Sequence, residues 1–387
     1  MKKVDVVVIG AGPAGLQAAI FLAERGFNPV VFEEHPIIGQ PIQCGEGISV
    51  AALKEFSIPT SKSNICVKKL ENCRLFFASR HEVLGDIAAY TINRDAFDQY
   101  LAERATNLGA TILTSSKVEN VIRDNNRLIL KVKGKKNLEY DCRILIIAEG
   151  YKAKITNNLG FSKPLPLIKA FEYKIKGEWS EKLEFYFDSR KYPFGYCWIF
   201  PKEDESNIGI VTTTQERKKR LDKFLKEKEI SAKIIKKMGG SIPMHGPTEK
   251  LCDKNIMVVG DAAGMVNPIF YGGIRLAMTS GKIAGEIAEK NLQNDGKTSL
   301  LEYEKKLSKY NFMDKVNLEC HNFFYSRSNK FLQSLGKLLE NRFINRIKGW
   351  EKIEVLSHLI QYPVLYKNML KLYKMYKGFK IARDWGF

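Results

Sequence analysis

Gly10, Gly12 and Gly15 are spaced Gly-x-Gly-x-x-Gly, directly after the apolar run Val6 to Ile9 and at the start of a segment, Pro13 to Arg25, whose apolar residues recur at helical intervals. Glycines at those steps permit a tight turn and close backbone approach. A helix opening at Pro13, Ala14 and Gly15 then presents amide N–H groups and a positive dipole end to a pyrophosphate. Glu33 ends the next apolar run, 23 residues after Gly10, where a carboxylate accepts bonds from an adenosine ribose. Its neighbour Glu34 disfavours a ribose 2′-phosphate, so the ligand reads as FAD or NAD before NADP. The plain alternative is a glycine-rich turn with no ligand. A second element far downstream, Gly260-Asp261 and then Gly272-Gly273-Ile274 opening another helix, separates FAD from NAD.

Other residues point to what such a cofactor would act on. Tyr196, Trp198 and Phe200 alternate with Cys197 and Ile199, so a period of two puts the three rings on one face of a strand. That wall suits a long apolar substrate lying over a flavin, the alternative being a packed sheet core. Tyr271 places a phenol beside the second glycine turn. Cys44 stands between Gln43 and Gly45, where its thiol can approach cofactor or substrate; burial as a small apolar side chain is the other reading.

The elements that position these residues follow from periodicity. Residues 4–9, 13–25 and 29–32 form one strand–helix–strand unit, with Gly26 closing the helix. A helical segment around Arg94 leads into a strand-rich stretch from Thr111 to Ala148, and Ile256 to Asp261 returns to the same grammar. Between Ile168 and Thr213 alternation dominates, with Leu183, Phe185 and Phe187 on one side, and this reads as a largely antiparallel sheet. A Lys-rich helical stretch is expected over 215–237. Beyond 300 the period is helical, punctuated by Gly336, Gly349, Pro363 and Gly378. The expected organisation is a discontinuous cofactor domain over 1–165 and 250–300, a sheet domain over 166–249 and a helical region over 301–387.

With both glycine elements in place, the chain resembles the FAD-dependent group that contains the flavin hydroxylases and the geranylgeranyl reductases. The resemblance implies that Asp261 binds the ribityl chain, that Gly272, Gly273 and Ile274 aim amides at the pyrimidine end of the isoalloxazine, and that Arg94, in Asn-Arg-Asp-Ala-Phe-Asp, lies near the FAD. Cys44-Gly45-Glu46-Gly47 and Tyr196-Cys197-Trp198-Ile199-Phe200-Pro201 are similar to two segments of the geranylgeranyl reductases, and the likeness runs from residue 1 to about 300. It implies an α/β fold with a Rossmann-like FAD-binding domain, an antiparallel-sheet substrate domain and a C-terminal helical region. It also implies an enzyme that saturates C=C bonds of prenyl chains. An unconjugated alkene is a poor hydride acceptor, so such an enzyme needs a proton donor in a dry cavity as well as reduced flavin. Cys44, Glu46 and Tyr196 are the candidates. Three departures stand out: Ala148-Glu149-Gly150 replaces the usual Asp-Gly, the glycine run before Ile274 is shortened, and Phe270-Tyr271 takes the place of small residues.

The formal net charge is +19, and the segment from His321 to Phe387 holds 13 basic against 4 acidic residues. A basic surface implies an anionic partner. Leu365, Met369, Leu372, Tyr376 and Phe379 recur at spacings of four and three with lysines on another face, which suits a helix lying on an anionic membrane, or one docking its stripe on the protein body. No nucleic-acid motif is present. Apolar runs fall short of the ~18 residues of a bilayer span, and the start reads as a first strand of a cytoplasmic protein, peripheral on the inner membrane face if the tail binds lipid. Seven scattered cysteines without a Cys-x-x-Cys pair suit neither a metal site nor a disulfide framework. The electron donor, NADPH, NADH or an acidic ferredoxin, is open. A flavin monooxygenase of the same fold and a basic binding protein without flavin remain rival readings.

Overall fold

In the computed structural model the first strand–helix–strand unit is β1 (Lys2–Ile9), α1 (Pro13–Ala23) and β2 (Val30–Phe32). All residues are described except 79, 136, 345, 348, 386 and 387. The chain then leaves this unit through β3 (Gly47–Ser49), α2 (Val50–Glu55), β4 (Cys66–Phe77) and β5 (His81–Ile92). It returns through α3 (Arg94–Asn107), β6 (Thr111–Leu113), β7 (Lys117–Asp124), β8 (Arg127–Lys133), β9 (Leu138–Ile147) and α4 (Lys154–Asn158). The segment between supplies β10 (Leu167–Lys176), β11 (Leu183–Phe187), β12 (Tyr196–Pro201), β13 (Glu205–Thr212), α5 (Arg217–Glu227) and β14 (Ile234–Pro243). β15 (Cys252–Asp253), β16 (Ile256–Val258) and α6 (Ile274–Gln293) complete the unit begun by β1 and α1. The rest is α7 (Glu302–Leu307), α8 (Val316–Tyr325), α9 (Asn329–Leu339), α10 (Trp350–Leu359), α11 (Pro363–Tyr366) and α12 (Met369–Trp385).

Among the described residues two eight-stranded sheets result. The first runs β15-β16-β9-β1-β2-β6, with β16, β9, β1, β2 and β6 parallel and a β7–β8 hairpin added at β9. Strands covered on both faces read as continuous apolar runs, and Val6, Val7, Val8 and Ile9 are all buried. The second runs β14-β10-β13-β12-β11-β4-β5-β3. Strands β3, β4 and β5 therefore join the second sheet, against the expected boundary at 165: alternation carries no local mark of which sheet a strand joins. The second sheet is also mixed, since β4 and β11 pair in parallel.

Two other expectations are corrected and one open alternative is decided. The Lys-rich helix stops at Glu227, and Ile234 to Lys237 instead begin β14, an edge strand whose lysines face solvent. Gly336 and Gly378 lie inside α9 and α12 and do not end them. A β-carbon at Gly336 would stand 2.5 Å from Cβ of His81, and one at Gly378 2.6 Å from Cβ of Cys320, so these glycines let α9 pack closely on the β4–β5 hairpin and α12 on α8. Of the expected C-terminal stripe, Leu365 and Phe379 are buried, Leu372 and Tyr376 half-buried, and only Met369 is exposed: the stripe docks on the protein body. Among the described residues no helix is long and apolar enough to cross a membrane.

Candidate active site

The turn between β1 and α1 forms one wall of a cavity of about 270 Å³. A β-carbon on Gly15 would lie 2.0 Å from the Gly10 carbonyl oxygen, so only glycine closes this turn. No side chain caps α1, no acid stands in its first turn, and Pro13 opens it, which leaves its first amides for an anion. Glu33 accepts from the amides of Ala11 and His35, both at 2.9 Å, and so ties the end of β2 to the turn. Glu34 meets Lys117 at 2.6 Å and Lys152 at 3.4 Å, and the bond from Lys117 holds its carboxyl below the usual range. Its charge is thus matched by two lysines, which removes the expected objection to a 2′-phosphate. Glu149 turns away from the cavity: it accepts from the Ile155 and Thr156 amides and the Thr156 hydroxyl at 2.7–2.9 Å, capping α4, while Gly150 lines the cavity.

The second turn supplies the neighbouring wall. Asp261, Gly272, Gly273 and Ile274 line the cavity where α6 begins, again without a side-chain cap. Burial pushes the Asp261 carboxyl up to about 6, with Arg94 pulling the other way. Arg94 is held by Asp98 through two bonds, Nε to Oδ1 at 3.2 Å and Nη2 to Oδ2 at 2.8 Å, and also lines the cavity. Uncapped helix starts, a carboxylate and a fixed guanidinium make a donor and acceptor set that fits a dinucleotide.

Cys44, Gly45 and Glu46 connect this cradle to the second sheet. The Glu46 amide donates to Cys44 Sγ at 3.3 Å; burial pushes the thiol up, although Arg94 beside it favours the thiolate. Glu46 itself is fully buried. It accepts from Lys202 Nζ and Asn207 Nδ2, each at 2.7 Å, and from the Arg94 amide at 2.9 Å, with Lys174 at 3.5 Å. Burial opposes its charge, yet Lys202 and then Lys174 keep the carboxyl below the ordinary range. Glu46 is therefore an ionised anchor between the second sheet and the start of α3 and has no proton to give, against the expectation that it serves as an acid.

The aromatic wall stands where periodicity placed it. Tyr196, Trp198 and Phe200 line the cavity, while Cys197 and Ile199 pack on the opposite face of the sheet. Three cross-strand rows build this face: Tyr196–Val211–Ala170, Trp198–Gly209–Glu172 and Phe200–Asn207–Lys174. Tyr196 donates its hydroxyl to the Phe270 carbonyl, so its proton is committed. Tyr271 stacks on Tyr196 and Tyr325, and its hydroxyl donates to the Phe194 carbonyl at 2.8 Å with His321 Nε2 at 3.1 Å. Its ring lines the cavity, but its hydroxyl is held by groups outside the cofactor cradle. Periodicity alone could have found Glu172 and Gly209, which fall on the same face; nothing local marks Lys202 as the partner of Glu46.

Comparison with known proteins decides the family. A family model described as the geranylgeranyl reductase catalytic domain matches residues 168–242, and one described as lycopene cyclase protein matches residues 5–165. A digeranylgeranylglycerophospholipid reductase of Methanothermobacter thermautotrophicus is 32% identical over 93% of this chain and 97% of its own, and one of Methanopyrus kandleri is 30% identical over 96% and 99%. The chain belongs to the geranylgeranyl reductase family. A geranylgeranyl bacteriochlorophyll reductase-like protein of Thermoplasma acidophilum superposes with a TM-score of 0.86 at 25% identity, covering 96% of this chain and 100% of its own. In this family member the matched catalytic segment is the stretch from β10 to β14, which carries the aromatic rows.

Proposed function

We propose that this protein is an FAD-dependent reductase that saturates C=C bonds in geranylgeranyl or related isoprenoid chains of membrane lipids. The observation that carries the reading is one cavity with two unlike walls: a Rossmann-like cradle of glycine turns with Asp261 and Arg94, and the aromatic face of β12. When bound and reduced, FAD supplies the hydride. Gly10, Gly12, Pro13, Ala14 and Gly15 would take the pyrophosphate, Glu33 the ribose, Asp261 the ribityl chain, and Gly272, Gly273 and Ile274 the pyrimidine edge. Cys44, Gly45 and Arg94 border the same space. Tyr196, Trp198, Phe200 and Tyr271 would hold the prenyl chain and keep water from it. The test is the absorption spectrum before and after anaerobic dithionite, with released cofactor identified by mass, followed by incubation of reduced protein with prenyl lipids. Bleaching flavin bands, released FAD and two-hydrogen mass steps are expected. A colourless protein that takes up no FAD would end the proposal.

Cofactor affinity should depend on pH through Asp261. A ribityl hydroxyl donates better to a carboxylate than to an acid, so binding lowers the Asp261 pKa from its free value of about 6. Affinity of the apoprotein for FAD should then be level above that pH and fall below it as the carboxylate protonates. Fluorescence titration checks this, and Asp261→Asn should flatten the dependence while weakening binding at neutral pH.

We also propose contact with an anionic membrane, through a surface other than the stripe. Trp350, Ile353, Leu356, Ile360, Tyr366 and Leu370 are all more than half exposed, with Lys352, Lys367 and Lys371 exposed among them. Apolar side chains interleaved with lysines suit an anionic interface. Binding to phosphatidylglycerol vesicles should weaken in Trp350→Ser/Leu370→Ser and with added salt. An acidic electron-transfer protein is the other partner that this charge would favour.

A further inference from the structure

β10 carries Glu172 into the cavity wall at 3% exposure. Among the described residues neither of its carboxyl oxygens has a well-formed hydrogen bond, and the indole N–H of Trp198, which pulls only weakly on Glu172, bonds to nothing else. The two side chains share a cross-strand row with only Gly209 between them, on the face that bears Tyr196 and Phe200. The neighbouring cations are committed elsewhere. Lys202 bonds to Glu46 at 2.7 Å and to Asn93 at 2.8 Å, and Lys174 bonds to Glu205 at 2.9 Å. Burial and then the ionised Glu46 push the Glu172 carboxyl well above the ordinary range, with Lys174, Lys202 and Trp198 pulling less strongly the other way.

A buried carboxyl with no well-formed hydrogen bond is stable as the neutral acid. Such an acid, in an aromatic wall facing the cofactor cradle, is a source of protons. Of the other candidates, Glu46 is ionised and the Tyr196 proton is shared with the Phe270 carbonyl, which leaves the Cys44 thiol, kept protonated by burial, as the rival donor.

The geometry points to Glu172 as the acid that protonates the substrate alkene, a role that rests on the reductase reading above. One alkene carbon takes the hydride, with its electron pair, that reduced flavin supplies. The other forms a C–H bond to the Glu172 proton as the O–H bond breaks and its electrons remain on the carboxylate. Water reprotonates Glu172 between turnovers, and Lys174 and Lys202 favour the carboxylate while it lasts.

The test compares the parent protein with Glu172→Gln, Glu172→Asp and Cys44→Ser, all loaded with FAD. The infrared spectrum at neutral pH should show a protonated-carboxyl band that shifts in D2O and is missing in Glu172→Gln. In single turnovers of reduced protein with a geranylgeranyl lipid, Glu172→Gln should slow the two-hydrogen mass step by about a hundredfold or more, with flavin content and KM unchanged, and Glu172→Asp should recover part of the rate. Absence of the band overturns the assignment. So does a loss confined to KM, or a slow step in Cys44→Ser with Glu172→Gln at the parent rate. If the parent itself reduces no prenyl lipid, the reductase reading fails instead, and the infrared band still reports the state of Glu172.

Discussion

Glu46→Ala should lower the stability of the protein by about 3–5 kcal/mol, read as a shift in the urea denaturation midpoint. The deleted carboxylate is the partner of Lys202, itself only 1% exposed, and it also receives the Asn207 amide and the Arg94 backbone N–H. Removing one member of a buried pair leaves the other charge desolvated and unmatched, and that costs more than the pair itself contributes. Lys174 suffers less because it keeps Glu205 at 2.9 Å. A second change, Lys202→Met, removes the orphaned charge and should restore most of the loss. The pH dependence has a defined sign. Glu46 titrates below the ordinary carboxylate range, so its stabilisation is fully present above that range and disappears only as pH falls through the lowered value. A shift of less than about 1 kcal/mol in Glu46→Ala would mean that the pair does not exist as drawn.

The same cluster shows why part of this site was legible in sequence and part was not. The Gly10–Gly15 turn is written in six consecutive residues, and its function follows from local backbone geometry. The aromatic face of β12 is likewise local, since alternation alone sets which side a ring takes. Glu46 and Lys202 are 156 residues apart and belong to segments on different strands, so no spacing rule joins them. Glu46 read from its neighbours was a polar residue between two glycines; only its burial and three donors make it an anchor. The assignment of β3, β4 and β5 to the second sheet was hidden for a related reason, because pairing partners are set by tertiary packing. Gly336 and Gly378 misled in the opposite direction. As local signals they mark helix ends, but here Gly336 lets its helix meet the β4–β5 hairpin and Gly378 lets its helix cross α8.

Gly209→Ala should cut kcat/KM for alkene reduction by roughly a hundredfold while leaving flavin content at the parent level. The strand register sets Gly209 directly between Trp198 and Glu172. A β-carbon there would lie 2.2 Å from Cζ2 of the Trp198 indole, so the ring must swing off the face it now covers. Overpacking of this kind costs about 1–3 kcal/mol in stability, and misplacement of a positioning side chain by about 1 Å can cost a hundredfold in rate. The cofactor cradle lies on the other wall, which is why flavin should remain. Trp198→Phe in the Gly209→Ala background removes the clashing ring and should return the lost stability without the activity, since the wall would then lack the indole. Parent-level activity in Gly209→Ala would show that the indole need not lie across the row, and the aromatic wall would revert to being a sheet core. A loss of flavin equal to the loss of rate would place Gly209 in the support of the cradle.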